Sequence, residues 1–267
     1  MNKISEAFAG KKAFAAYLMA GDPTLAKSAR YLLALQEGGA DLIEVGIPFS
    51  DPIAEGAVIE QASVRALSGG TTLDSVFTMM ESLRGQLHVP VVFMTYLNPV
   101  FVYGYERFLA RSRACSIAGL IIPDLPFEEQ GELKTLARDY GIDIITMAAP
   151  TSGGRIRAIA DQAEGFVYLV SSMGVTGVRG GVSEEAGAIA AEIKRYRDIP
   201  VAVGFGVAGP EQAAAYARMA DGVIVGSAIV RQIAEDAPDT EQRLRDYVRT
   251  MKAAMNAPQE PSGRSAQ

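Results

Sequence analysis

The feature that most constrains this chain is an alternation. Short, continuous apolar runs are each followed by a stretch of helical length, and the pattern repeats eight times between Ala13 and Ala254. The runs are Ala13–Ala20, Asp41–Gly46, Val89–Tyr96, Ala118–Asp124, Ile142–Ala148, Phe166–Ser171, Ile199–Val203 and Asp221–Val225. Strands that are apolar on both faces belong in a parallel sheet covered by helices. Eight such units in about 255 residues fit a closed (β/α)8 TIM barrel better than an open doubly wound sheet. No linker or shift of composition divides the chain, so residues 1–255 read as a single α/β domain. Residues 256–267, NAPQEPSGRSAQ, are polar and rich in Pro, Gly and Ser, and read as a disordered tail.

Local punctuation sets the expected element ends. Asp22 is placed to cap the first helix, with Pro23 in its first turn. That helix, about Thr24–Glu37, carries Leu25, Ala29, Leu32 and Leu33 at helical spacing, and Gly38-Gly39 stop it. The third strand runs into a loop with Asn98 and Pro99 before a helix near Tyr105–Cys115.

Composition excludes several classes of function. The net charge is −6 with dispersed Lys and Arg, which gives no footprint for nucleic acid. Cys115 is the single cysteine, so no intrachain disulfide forms, and no Cys/His cluster suggests a metal. The N-terminus lacks a signal-peptide apolar stretch, and no apolar run is long enough to span a membrane, so a soluble cytoplasmic protein is expected.

The second strand and its loop, DLIEVGIPFSDPIAEG from Asp41 to Gly56, concentrate the acid chemistry. Glu44 sits inside an apolar run, where burial disfavours the ionised carboxylate and raises its pKa toward neutrality. Pro48, Ser50, Asp51, Pro52 and Gly56 end the strand, and Asp51 and Glu55 fall just past its tip. Barrel enzymes place their chemistry at such strand tips. A buried Glu paired with a helix Lys or Arg is the structural alternative.

Three glycine turns follow the last three strands: Gly174-Val175-Thr176-Gly177, Gly204-Phe205-Gly206 and Gly226-Ser227-Ala228. Glycines let backbone N–H groups approach an anion, and the helix after Gly226-Ser227 aims its N-terminus at it. Barrel phosphate sites are built at this position. The run Gly204 to Gly209 also matches GxGxxG, with Asp221 downstream, as in a dinucleotide site. It falls in the seventh unit, however, and Asp221 precedes its strand instead of ending it. His88, the single histidine, lies before the third strand on the opposite side from the tips. No lysine falls at a strand tip for a Schiff base. Carboxylates acting on a phosphorylated substrate remain.

Glu44 with GIPFSDP, the GDP at Gly21–Pro23, the GVTG at Gly174–Gly177, the GFG at Gly204–Gly206 and the GSAIV at Gly226–Val230 resemble the tryptophan synthase alpha chain family, in one order over about residues 1–255. The resemblance implies retro-aldol cleavage of indole-3-glycerol phosphate to indole and glyceraldehyde 3-phosphate, with Glu44 as proton shuttle. It makes Glu55 the second acid, holding the indole N–H, although the family usually has Asp there. It implies Tyr17, Tyr96, Ile121, Tyr168 and Thr176 around the substrate, and Gly177, Gly206, Gly226 and Ser227 on its phosphate. It also implies an alpha2beta2 complex in which Pro48, Asp51, Asn98 and Pro126 contact a beta chain. The pyridoxal phosphate belongs to that partner, and no cofactor is assigned to this chain. Two other readings stay open: an alpha-like subunit weakened by Glu55 that only binds and activates a beta chain, and another phosphate-binding barrel enzyme using Asp124.

Overall fold

A computed structural model describes residues 3–171, 184–204 and 206–257. The eight apolar runs form strands β1 (Ala13–Met19), β2 (Leu42–Gly46), β3 (Val91–Met94), β4 (Ile117–Ile121), β5 (Asp143–Ala148), β6 (Val167–Val170), β7 (Val201–Gly204) and β8 (Gly222–Val225). Neighbours in sequence pair in parallel, and β8 pairs with β1, so the sheet closes into a (β/α)8 TIM barrel.

The helices are α1 (Lys3–Phe8), α2 (Leu25–Gly38), α3 (Ala57–Ser68), α4 (Leu73–Ser82), α5 (Leu97–Tyr103) and α6 (Tyr105–Ala114). They continue with α7 (Gly131–Asp139), α8 (Ile156–Gln162), α9 (Glu184–Tyr196), α10 (Pro210–Met219), α11 (Ser227–Ala234) and α12 (Thr240–Met255).

Strand side chains alternate between two layers, as a period of two requires. Phe14, Ala16, Leu18, Ile43, Val45, Phe93, Leu120, Ile144, Val201 and Val203 pack outward under the helices. Ala15, Tyr17, Met19, Leu42, Val92, Met94, Ile121, Ile145, Tyr168, Ala202 and Ile224 fill the barrel itself. In register, Tyr17 stands beside Glu44, and Glu44 beside Val92.

The N-terminal end of the barrel is plugged by α1, an element with no strong sequence signal. Its fully buried Ile4 and its Phe8 face glycines: a β-carbon on Gly119 would lie 3.0 Å from Ile4, and one on Gly222 only 2.9 Å from Phe8. The same end is pinned by acids just before strands. Asp41 accepts from the Phe14 amide at 2.9 Å and pairs with Lys11 and Lys252, both at 2.7 Å. Glu164 accepts from the Ile144 amide at 3.3 Å, and Asp221 from the Val201 amide at 2.9 Å with Lys194 alongside. Asp221 thus ties two strand starts together, far from any ribose site at the tips.

Three local expectations are corrected. Thr24, not Asp22, caps α2: its hydroxyl accepts from the Lys27 amide at 3.2 Å, and the helix starts only at Leu25. Asp22 is buried and is instead gripped at both oxygens by Arg65 of α3, at 2.8 and 2.7 Å. The buried stripe of α2 is Ser28, Tyr31, Leu32, Ala34 and Leu35, while Leu25, Ala29 and Leu33 lie at its edge. The helix is covered by α4 and α12 as well as by the barrel, which widens and rotates its apolar face. Finally, Asn98 and Pro99 lie in the first turn of α5, not in a loop. A proline is tolerated there because its missing N–H has no helical partner anyway, and Asp124 accepts from the Leu97 amide at 2.9 Å to cap the helix.

Candidate active site

Every residue of β2 is buried, and the strand period turns Leu42, Glu44 and Gly46 into the barrel. Glu44 is 1% exposed, and its Oε2 has no hydrogen-bond partner among the described residues. Among the described residues no Lys or Arg pairs with Glu44, so the ion pair with a helix cation is not formed there. Burial first, and the nearby charge of Glu55 second, push the Glu44 carboxyl up to about 8.

Glu55 comes from the loop between β2 and α3. The loop is anchored at its start by buried Ser63 of α3, whose hydroxyl accepts from the Phe49 amide and donates to the Phe49 carbonyl, both at 2.9 Å. Gly56 is the N-cap of α3, so Glu55 lies immediately before the cap. Burial raises its carboxyl to about 7, opposed by the Tyr96 hydroxyl and helped by the charge of Glu60. Its Oε2 also lacks a partner among the described residues. Two carboxyls with elevated pKa, close enough to influence one another, occupy the mouth of the barrel.

Two buried tyrosines share this interior. The Tyr17 phenol is raised well above its ordinary value by burial and then by Glu55 and Glu44, and that of Tyr168 by burial and Glu44. Each hydroxyl fills the space left by a glycine at a strand tip. A β-carbon on Gly46 would lie 2.2 Å from the Tyr17 oxygen, and one on Gly204 would lie 2.4 Å from the Tyr168 oxygen. Tyr17 also backs onto Gly226, where a β-carbon would meet its ring at 3.4 Å. The ring of Tyr17 therefore spans from the tip of β8 to the acidic tip of β2. Ile121 and Tyr96 are buried as well, Ile121 in the barrel interior and Tyr96 just beyond β3.

The anion end lies at the tips of β7 and β8. Gly206 has a φ of +77°, a backbone conformation suited to glycine, and open space where a side chain would project. Gly226 precedes α11, and Ser227 begins it. The first amides of a helix have no intrahelical acceptor, and the helix dipole is positive there. Thr176 and Gly177 lie outside the described residues. Of the loop residues expected at a partner surface, Asp51, Asn98 and Pro126 are exposed and Pro48 is buried.

Sequence reasoning missed the glycine–tyrosine pairings, Ser63, and the Asp22–Arg65 clamp between the first loop and α3. The signal available was a glycine ending β2 and another ending β7, but nothing local says which side chain needs the room. His88 is exposed, and Cys115 is buried with its thiol pushed up to about 11, chiefly by burial. Among the described residues, no group of His, Cys, Asp and Glu could hold a metal ion, and no helix is long and apolar enough to cross a membrane.

The family model described as Tryptophan synthase alpha chain matches residues 5–258. The tryptophan synthase alpha chain of Lacticaseibacillus casei is 45% identical over 257 residues, 96% of this chain and 97% of its own. That of Synechococcus elongatus is 47% identical over 242 residues, 88% of this chain and 91% of its own. Among solved structures, Mycobacterium tuberculosis tryptophan synthase superposes with a TM-score of 0.87 at 36% identity, covering 96% of this chain and 97% of that one. Tryptophan synthase subunit alpha from Legionella pneumophila gives 0.86 at 32% identity, covering 96% and 99%. Sharing both their barrel and their sequence over nearly its whole length, this chain belongs to the tryptophan synthase alpha chain family.

Proposed function

We propose that the chain, a lyase of tryptophan synthesis that works with a beta chain, cleaves indole-3-glycerol phosphate to indole and glyceraldehyde 3-phosphate. The observation that carries this reading is Glu44: a buried carboxyl at about 8, with Oε2 unpartnered among the described residues, protonated at neutral pH and facing the space it shares with Glu55. Its proton goes to indole C3. The Glu55 carboxylate accepts the indole N–H and stabilises the positive charge that develops as C3 is protonated. Glu44, now ionised, takes the proton of the glycerol hydroxyl on the carbon leaving C3. That hydroxyl oxygen becomes the aldehyde carbonyl, the carbon–carbon bond breaks, and its electron pair returns to the indole ring. Glu44 ends protonated, ready for the next turnover.

In this reading Tyr17, Tyr96, Ile121 and Tyr168 surround the indole, while Gly206, Gly226 and Ser227 hold the phosphate through amides and a hydroxyl. Thr176 and Gly177, which follow β6 in the sequence, are assigned to the same substrate and its phosphate. The chain acts in the cytoplasm as the alpha subunit of an alpha2beta2 complex, with the exposed Asp51, Asn98 and Pro126 toward the beta chain and Pro48 buried within the same loop as Asp51. Pyridoxal phosphate resides in that partner, and this chain needs no cofactor of its own. The test is indole release by purified protein, alone and with a beta chain. Full activity in Glu44→Gln overturns the mechanism.

A further inference from the structure

Tyr96 stands directly beyond β3, 2% exposed, with its ring tilted on that of Phe49 at a centroid distance of 5.4 Å. Its hydroxyl oxygen accepts from the Ala54 amide at 3.2 Å, and the Ile53 amide is directed at the same oxygen. A phenol has one proton to give and lone pairs to receive. With backbone amides on the oxygen, the single O–H is left to donate, and the Tyr96 hydroxyl is the group that lowers the Glu55 carboxyl against the effect of burial. One hydroxyl thus holds the Ala54 amide, with that of Ile53 toward it, directly beside Glu55 in an otherwise irregular loop. The other end of that loop is fixed at Phe49 by Ser63. Nothing else among the hydrogen bonds of the described residues ties the Ile53–Glu55 segment to a strand.

We propose that Tyr96 is a positioning residue for Glu55: its hydroxyl, fixed at the tip of β3, holds the acidic loop at the height where the Glu55 carboxylate faces the same space as Glu44. This goes beyond lining the indole pocket, and it rests on the proposed function. The hydroxyl has two consequences. It fixes the backbone next to Glu55 through the Ala54 amide, and it favours the ionised carboxyl, opposing the burial that raises Glu55. Removing the hydroxyl therefore loosens the loop and moves Glu55 further up.

The test is Tyr96→Phe, which keeps the ring on Phe49. The expected result is a fall in kcat of about tenfold or more, as for a displaced catalytic group. KM for indole-3-glycerol phosphate should change less than about threefold, and the acid limb of the kcat profile should move to higher pH, as loss of a hydroxyl that favours the ionised form requires. Unchanged kcat and acid limb, or a rise in KM alone, would make Tyr96 a wall of the pocket and overturn the proposal. If wild-type protein itself releases no indole with a beta chain, the functional reading fails instead. Should Tyr96→Phe not fold, 3-fluorotyrosine at position 96 strengthens the O–H as a donor without changing the shape. The acid limb moving to lower pH then supports the proposal, and an unmoved limb overturns it.

Discussion

The phenol oxygen of Tyr17 occupies the space that a side chain at Gly46 would need, 2.2 Å from where its β-carbon would sit. The two residues belong to adjacent strands, and the contact lets a full tyrosine ring lie across the mouth from the tip of β8 to the tip of β2. Gly46→Ala is expected to force Tyr17 aside and destabilise the fold by about 1–3 kcal/mol, the usual range for overpacking a filled interior. Activity should fall with it. Tyr17→Leu in the Gly46→Ala background should recover part of the stability, and a double-mutant cycle by chemical denaturation measures that coupling.

Activity should peak in a narrow band of pH. Glu55 must be ionised and Glu44 protonated at the start of turnover, and their carboxyls lie at about 7 and about 8. The kcat profile is therefore expected to fall below about 7 and above about 8. Glu55→Gln should flatten the acid limb at greatly reduced rate. A steady-state profile over pH 5–10 checks both limbs, and a broad plateau from 5 to 10 would contradict the assignment.

Glu44 is expected to weaken the fold that it serves. Its folded-state carboxyl is raised from 4.5 to about 8, so between those values the folded chain keeps a proton that the unfolded chain releases. Its contribution to stability is therefore neutral at low pH and becomes a growing penalty as pH rises through this window. Glu44→Gln removes the ionisable group and should raise stability at pH 7 by on the order of 3 kcal/mol, with little gain at pH 4.5. Urea midpoints of both proteins at the two pH values decide it. Greater stability with lost activity is the expected signature.

The opposite end of the barrel should behave in the opposite way. Asp41→Ala leaves the Phe14 amide without its acceptor and Lys11 and Lys252 without their anion. A loss of about 2–4 kcal/mol is expected for removing a buried carboxylate with those partners. The folded fraction should keep its kcat, because conserving the N-terminal end of a barrel serves stability and not chemistry. Denaturation and initial rates measured on the same sample separate the two effects.

The order and faces of this fold could be read along the chain. Continuous apolar runs fix which segments are strands, and a period of two fixes that Glu44 points to the same side as Leu42 and Gly46. The turns after β7 and β8 announce themselves as glycines at strand ends. The acidic loop was equally legible, because proline, serine and glycine mark where β2 stops. What the chain could not disclose are the contacts that depend on how strands are staggered around the closed barrel. Tyr17 over Gly46, Tyr168 over Gly204, Arg65 on Asp22 and Tyr96 beneath Glu55 all join residues distant in sequence. Local patterning sets the direction of a side chain, whereas its neighbour is set by register and closure, and those are properties of the assembled barrel.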